Sequence, residues 1–152
     1  MLRLVDEVFA TRSDPSQLQV DEHVLEKLAR IHPATLAEKE TDDGPIAWVL
    51  LIPTTRQVMN DFIAGKISEQ ELLDRTQPGE TYEAIYLCSA TILPEYRGKG
   101  LGKQLTMEAI GAMRKEHPIE ALYVWPFTKE GDALAEQLAK SCGLPLFKKS
   151  GH

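Results

Sequence analysis

The chain has 152 residues, 43% of them hydrophobic and 26% charged, which predicts one soluble globular domain over residues 1–152. A formal net charge of −6 argues against a general binder of nucleic acid or of membrane surfaces, since both need a basic face. No apolar run approaches the roughly 20 residues of a membrane span, and the N-terminus lacks a signal-peptide pattern. We therefore predict a cytoplasmic protein with no membrane partner, in which Cys88 and Cys142 are reduced and do not hold a metal.

The first third of the chain predicts a strand, a helix and a hairpin, in that order. Residues 2–9 (LRLVDEVF) have the composition of a strand, and the apolar residues between 24 and 31 recur at helical spacing. Thr41, Asp42, Asp43 and Gly44 form a turn signal between two runs of strand character, so residues 35–53 predict a hairpin.

Two short helices are predicted within residues 54–80, and we call this segment the insertion. Thr54 with Gln57, and Ser68 with Glu71, match the capping-box pattern that begins a helix.

The second half of the chain alternates strands and helices. Strands are predicted at residues 82–93, 119–127 and 144–149, and helices at about 100–116 and 129–143. The element order predicts a mixed α/β domain in which helices cover a sheet.

One stretch between a strand and a helix, residues 96–103 (YRGKGLGK), is unusual because glycine disfavours a helix start. It alternates three glycines with three cations: Gly98, Gly100 and Gly102 with Arg97, Lys99 and Lys103. The first turn of a helix exposes N–H groups at the positive end of its dipole, and glycines allow close approach to them. The stretch therefore predicts a phosphate or pyrophosphate site more strongly than a flexible loop.

Two common nucleotide motifs do not fit this stretch. The P-loop needs a wider glycine spacing and a Ser or Thr after its lysine, where this chain has Gln104. The dinucleotide fingerprint needs G-x-G-x-x-G, and its acid should close a strand, whereas Glu120 begins one. A nucleotide-phosphate binder remains the least favoured alternative.

The pattern Arg97-x-x-Gly100-x-Gly102, after a strand that ends at Pro94, resembles the acetyl-CoA-binding motif of the GNAT acetyltransferase superfamily. The element order is similar across most of the chain. The resemblance implies a mixed, mainly antiparallel central sheet flanked by helices, with the insertion before the motif strand. It implies a function as an acetyl-CoA-dependent N-acetyltransferase.

The resemblance also implies how acetyl-CoA would be held. The loop amides that bind the pyrophosphate would be those of Arg97, Gly98, Lys99, Gly100, Leu101, Gly102 and Lys103. The pantetheine arm would lie along the backbone of Ala90, Thr91 and Ile92, near a bulge, in a slot between two diverging strands.

The proton-transfer groups are where the chain departs from the resemblance. Amine attack needs a base, and the leaving thiolate needs a proton. Tyr86 occupies the strand position where some GNAT proteins carry a glutamate, while Glu83 lies on the opposite strand face. A tyrosine expected near the C-terminus is replaced by Ala139. The candidate catalytic residues are therefore Tyr86, Glu83 and Tyr123.

Other candidates for these roles are open. Cys142 or an ordered water could replace the missing tyrosine. Cys88 could act as a nucleophile, but its position fits a small buried hydrophobic residue better. His32 and His117 each end a helix before a proline, where a structural role is favoured.

The acceptor cannot be read from the sequence beyond a small-molecule or peptide amine. The insertion could form a wall over the acceptor, with Arg56, Asp61, Glu69 or Asp74 touching it. It could instead form a homodimer contact through Val58, Phe62 and Leu72, or simply cover one sheet edge. The alternative function is a non-catalytic acyl-CoA-binding sensor or interaction module.

Overall fold

The computed structural model describes residues 22–42, 44–92, 96, 100–125 and 129–149. The strand predicted at residues 2–9 lies outside these ranges, as do Arg97, Gly98 and Lys99 of the glycine stretch. Within the described ranges, no helix combines the length and the apolar character needed to cross a membrane.

The described residues form five helices and five strands. The helices are α1 (Glu22–Ile31), α2 (Arg56–Ile63), α3 (Glu69–Arg75), α4 (Leu101–Glu116) and α5 (Lys129–Cys142). The strands are β1 (Leu36–Thr41), β2 (Gly44–Thr54), β3 (Ala84–Ile92), β4 (Ala121–Val124) and β5 (Leu146–Lys148).

The strands form one sheet in the order β1-β2-β3-β4-β5. β1 pairs with β2 and β2 with β3 in antiparallel ladders, whereas the β3/β4 and β4/β5 ladders are parallel and shorter. The predicted mixed α/β sheet flanked by helices is confirmed.

The two faces of the sheet are covered by different helices. Ile52, Tyr86 and Tyr123 are aligned across β2, β3 and β4, so they share one face. Val49 lies three residues before Ile52 and points to the other face, where it clusters with Leu105 of α4. The helix that follows the glycine stretch thus covers one face and leaves the other to different elements.

The insertion covers the Tyr86 face and does not cap an edge of the sheet. The Phe62 ring of α2 lies 4.9 Å from the ring of Tyr86, 6.0 Å from Tyr123 and 6.1 Å from Trp125, between centroids. These partners belong to the centre of the sheet. The prediction of a helical pair over one sheet edge is therefore wrong, because the aromatic residues it covers are on β3, on β4 and just after β4.

The predicted dimer contact through the insertion is also wrong. Val58, Phe62 and Leu72 are 3%, 0% and 0% exposed, and all three belong to the main hydrophobic core. Fully burying a side chain of this kind within its own chain is worth roughly 1.5–3 kcal/mol. They hold the insertion on the sheet and have no surface left for a partner.

One of the two predicted helix starts is shifted by a residue. The N-cap of α2 is Thr55, whose side chain accepts the N–H of Val58, and not Thr54, which ends β2. Ser68 and Glu71 form the complete reciprocal capping box at the start of α3. Thr54 is drawn into the sheet because its hydroxyl hydrogen-bonds the Tyr123 hydroxyl at 2.7 Å.

Candidate functional site

Helix α4 starts within the glycine stretch. Gly100 is its N-cap, in the left-handed conformation with φ of 75°, and makes no side-chain cap hydrogen bond. The first intrahelical bond runs from the Gln104 N–H to the Gly100 carbonyl at 2.9 Å. The N–H groups of Leu101, Gly102 and Lys103 precede that bond and lie at the positive end of the helix dipole. They could receive an anion.

Beside this helix start, β3 outruns its neighbour β4. The parallel β3/β4 ladder ends at Leu87 paired with Val124, whereas the β2/β3 ladder continues to Ile92 paired with Ala47. Among the described residues, no strand pairs with residues 88–92 of β3 on the β4 side. Unpaired backbone groups on such an edge can take an extended polar chain as an added strand.

A β-bulge lies where the β3/β4 ladder ends. In the β2/β3 ladder, Leu51 pairs with Leu87 and Leu50 with Ser89, so Cys88 is the additional residue on β3. A bulge of this kind increases twist and bends its strand. We expect it to bend the end of β3 where the β3/β4 ladder stops. The predicted slot between these strands, and what binds in it, stay predictions.

A buried carboxylate from the insertion lies beneath this bulge. Glu69, the first residue of α3, is 0% exposed, and its Oε2 accepts a hydrogen bond from the Tyr86 hydroxyl. The Cys88 Sγ lies 3.9 Å from the same oxygen and is 8% exposed at residue level. We call these three residues the Glu69 cluster. A buried carboxylate is costly unless it is hydrogen-bonded, so the Tyr86 hydroxyl holds Glu69 in place.

The two other predicted proton-transfer residues have different surroundings. The Glu83 carboxylate accepts the Arg56 N–H at 3.2 Å, so it caps the first turn of α2. Tyr123 is fully buried, and burial raises the pKa of its hydroxyl far above its usual range. The structure thus brings Tyr86 and Tyr123 together on one face, with ring centroids 5.1 Å apart, and commits the Glu83 side chain to α2.

The insertion residues that were expected to touch an acceptor are mostly paired within the chain. Arg56 forms an ion pair with Glu120 at 2.6 Å, and Asp61 with Arg75 at 2.7 Å. Hydrogen bonds from Arg75 and then Gln57 lower the pKa of Asp61.

The Asp74 carboxylate accepts a bond from Gln70 at 3.1 Å, and Glu69 is buried as described. A different set of insertion residues lines the nearest cavity.

That cavity, which we call the Trp125 pocket, has a volume of about 220 Å³. Its wall is formed by residues 65–68, which connect α2 to α3, together with Phe62, Glu71, Trp125 and Lys149. Trp125 follows Val124 directly, so the pocket lies beside the end of β4. The insertion forms part of its wall, and whether that wall faces an acceptor stays a prediction.

The Lys149 side chain lies against the aromatic part of this wall. Its Nζ is 4.3 Å from the centroid of the Trp125 ring and 5.6 Å from that of Phe62. The Lys149 N–H donates to the Val124 carbonyl at 2.9 Å, which fixes its backbone at the end of β4. An ammonium group over an indole face is a cation–π arrangement.

Three side chains elsewhere, those of His32, Glu116 and His117, lie close enough together to suggest a metal site. The His32 Nδ1 accepts the Ala34 N–H at 3.0 Å, and the His117 Nδ1 accepts the Tyr82 N–H at 3.3 Å. In a neutral imidazole, each Nε2 must then carry the proton and has no lone pair for a metal. This arrangement supports the predicted structural role.

Cys142 and the neighbouring residues of α5 have structural contacts. Asp132 forms an ion pair with Lys148 at 2.8 Å, and Ala139 is buried in the core. Burial raises the pKa of the Cys142 thiol, whose sulfur lies 3.5 Å from that of Met107 on α4. Cys142 therefore belongs to the α4/α5 contact and not to the Tyr86 face.

Sequence reasoning missed the pairing of Glu69 with Tyr86 and the position of Lys149. An acid at the first position of a capped helix is ordinarily exposed, and nothing in its neighbours signals burial. The "YVW" run at 123–125 predicts a buried strand end, but no local pattern shows that Lys149 lies over it.

The comparisons with known proteins agree with this fold. One family model, described as the acetyltransferase (GNAT) family, matches residues 5–144. A solved structure with a similar fold is Naa20 from Chaetomium thermophilum in complex with a bisubstrate analogue, with a TM-score of 0.52 and 17% sequence identity. The match covers 85% of this chain and 60% of that one. A search of curated proteins finds no match.

Proposed function

Because the chain belongs to the acetyltransferase (GNAT) family, whose model matches residues 5–144, we propose that it is an N-acetyltransferase that uses acetyl-CoA. The acetyl group passes directly to an amine while donor and acceptor are bound together. The acceptor is a small-molecule or peptide amine.

The observation that carries this proposal is the edge of β3 beyond its ladder with β4. Among the described residues, no strand pairs with that edge between Ser89 and Ile92, and the edge lies next to a helix that starts at a left-handed glycine. A pantetheine arm carries two amides, which fit the backbone groups that the stretch from Ala90 to Ile92 directs away from β2. A pyrophosphate fits the N–H groups of Leu101 to Lys103. No metal is needed for either contact.

When bound, acetyl-CoA would supply an activated acetyl thioester. The residues of this chain would hold it by backbone groups, so the slot positions the reacting carbon without a dedicated side chain. Holding two reactants in line is itself a large part of such catalysis.

Among the predicted proton-transfer residues, we place Tyr86 first. It is one position before the last paired residues of β3 and β4, and its hydroxyl is oriented by the Glu69 carboxylate. Glu69 is a positioning residue in this assignment. Glu83 and Tyr123 rank lower because the first caps α2 and the second is bonded to Thr54.

Donor binding is tested by isothermal titration of acetyl-CoA into wild type, Gly100→Glu and Gly100→Lys. A Cβ at Gly100 would meet no atom of the described residues within 4 Å, and both variants bear the same strain from φ of 75°. They differ in charge at the proposed pyrophosphate site. We expect Gly100→Lys to bind acetyl-CoA and Gly100→Glu to lose binding by at least about tenfold. Equal binding by the two variants would contradict the site.

Turnover is tested by release of free thiol in the presence of amines, polyamines, amino acids and peptides. Tyr86→Phe should lower kcat by about 10- to 100-fold with little change in the acetyl-CoA dissociation constant. Unchanged kcat in that variant would remove Tyr86 from the mechanism.

One observation favours a second candidate, the acyl-CoA-binding sensor. Tyr86, Tyr123 and Glu69 are each 0% exposed, so none of them reaches a substrate without a rearrangement. Acetyl-CoA binding without thiol release for any amine would support this candidate over the enzyme.

A further inference from the structure

The Trp125 pocket lies beside the end of β4, and the amine of Lys149 forms part of its wall. Its volume is about 220 Å³, and Trp125 and Lys149 both lie at the end of β4. The Lys149 ammonium rests 4.3 Å from the Trp125 ring centroid. The side chain of a lysine is a primary alkylamine on a four-carbon stem.

We propose that the Trp125 pocket is an acceptor subsite for a primary alkylammonium group, and that Lys149 occupies this place when no acceptor is bound. The inference rests on the proposed function for its link to acetyl transfer. The inference goes beyond the proposed function because it names the chemical class of the acceptor and a residue of the chain that competes with the acceptor.

The wall of the pocket has the chemistry that such a group needs. Trp125 and Phe62 present π-faces that attract a cation, and the alkyl stem gains apolar contact with the same rings. Glu71 adds a carboxylate to the wall, and its Oε1 accepts the Ser68 N–H at 3.1 Å. Lys66 is the opposing charge in this wall, so the aromatic faces and not the net charge provide the selectivity.

The competition has a direct consequence for affinity. When the Lys149 ammonium group occupies the pocket, an external ammonium group cannot bind there. The apparent affinity for the external group is therefore reduced in proportion to the fraction of molecules whose pocket is free. Removing the Lys149 charge while keeping its length should therefore strengthen amine binding.

The experiment measures binding of n-butylamine by isothermal titration without acetyl-CoA. The proteins are wild type, Lys149→Met, Lys149→Gln and Lys149→Arg, with Lys148→Met as a matched control. Lys148 is adjacent, but its ammonium bonds to Asp132 and Glu136 on α5, at 2.8 Å and 2.6 Å. n-Butanol serves as the uncharged probe of similar size.

We expect Lys149→Met and Lys149→Gln to bind n-butylamine about 3- to 30-fold more tightly than wild type, the range of one cation–π contact. Lys149→Arg and Lys148→Met should bind it as wild type does. n-Butanol should show no such gain, and adding Trp125→Leu to Lys149→Met should abolish the gain for the amine.

Two results would overturn the inference. One is an equal affinity of wild type and both neutral Lys149 variants for n-butylamine, including no binding by any of them. The other is a matching gain for n-butanol, which would show a general apolar cavity.

Turnover separates this inference from the proposed function. Tighter amine binding in Lys149→Met without thiol release would uphold the pocket and reject the enzyme. Thiol release with n-butylamine at an unchanged KM in Lys149→Met would uphold the enzyme and reject the pocket.

Discussion

The two sides of the proposed site use different kinds of chemical group. The donor side consists of the β3 edge from Cys88 to Ile92 and the start of α4, and its groups are backbone amides and carbonyls. The acceptor side consists of the insertion, Trp125 and Lys149, and its groups are side chains from distant segments. A site made of backbone depends on local conformation, whereas a site made of side chains depends on how the whole core packs.

The largest effect should come from loosening the acceptor side. Phe62→Ala removes the ring that joins the insertion to Tyr86, Tyr123 and Trp125, and we expect it to lower the free energy of unfolding by about 3–5 kcal/mol. Urea unfolding of wild type and variant measures this loss. A loss under about 1 kcal/mol would mean that the insertion is not part of the core.

Folded Phe62→Ala should still bind acetyl-CoA, because the donor side does not depend on that ring. A parallel loss of acetyl-CoA affinity would break the distinction between the two sides.

The next effect concerns the contact that lies between the sides. In a double-mutant cycle of Tyr86→Phe and Glu69→Gln, we expect a coupling free energy of about 1–3 kcal/mol. The reason is that Tyr86→Phe removes the hydroxyl that donates to a fully buried carboxylate. Unfolding of the four proteins gives the coupling. A value near zero would show that the hydrogen bond does not stabilise the fold.

Donor-side geometry should respond to a single methyl group. Gly100→Ala places a Cβ at φ of 75° and should lower the free energy of unfolding by about 1 kcal/mol, through backbone strain alone. Gly111→Ala is the matched control. Gly111 lies inside the same helix, and a Cβ added there would meet no atom within 4 Å in the described part of the chain. Alanine at this position should raise the free energy of unfolding by about 0.5–1 kcal/mol.

Opposite signs for the two glycines would confirm that α4 starts where the left-handed residue lies. The same sign at both positions would place Gly100 in an ordinary helical conformation.

The smallest effect is a pH dependence of folding stability that comes from His117. This residue lies away from both the donor side and the acceptor side. Burial, and then the neighbouring His32, lower the pKa of His117 below its usual value near 6.5, while Glu116 acts in the opposite direction. The unfolded chain takes up a proton near pH 6.5 and the folded chain resists it. The stability from the neutral imidazole is therefore complete above about pH 6.5 and is lost as the pH falls through the folded value.

We expect the urea midpoint of wild type to fall between about pH 7.5 and pH 5.5, and to fall less in His117→Asn. Acetyl-CoA binding should be unchanged in this variant, since His117 faces Tyr82 and His32 and not the slot. If the urea midpoint fell more steeply with falling pH in His117→Asn than in wild type, the assigned direction of the His117 pKa shift would be wrong.

How much the sequence predicts follows the same division between backbone and side chains. Gly100 and Gly102 signal the donor side because glycine is needed where backbone conformation or close approach excludes a side chain. The Ser68–Glu71 capping box was predictable for the same reason, since its contacts are local. The burial of Glu69 was not predictable, because its partner Tyr86 is 17 residues away in the chain. Local propensity carries no information about which side chains a fold brings together.

The error at Thr54 has a related physical cause. Thr54 and Thr55 both suit an N-cap, and the choice between them is made by a hydroxyl of Tyr123, 69 residues further along from Thr54. The shift by one residue is therefore a tertiary effect on a local motif.

The contact between Thr54 and Tyr123 also bears on how the molecule folds. β2 and β3 are neighbours in the sheet, yet the insertion separates them in the chain, so closing that ladder costs more entropy than a tight hairpin does. Several of the aromatic residues that pack under the insertion come later still, from β4 and beyond. In hydrogen-exchange experiments during refolding, α2 and α3 should gain protection after α4, and the acceptor wall should be the last part of the site to become rigid.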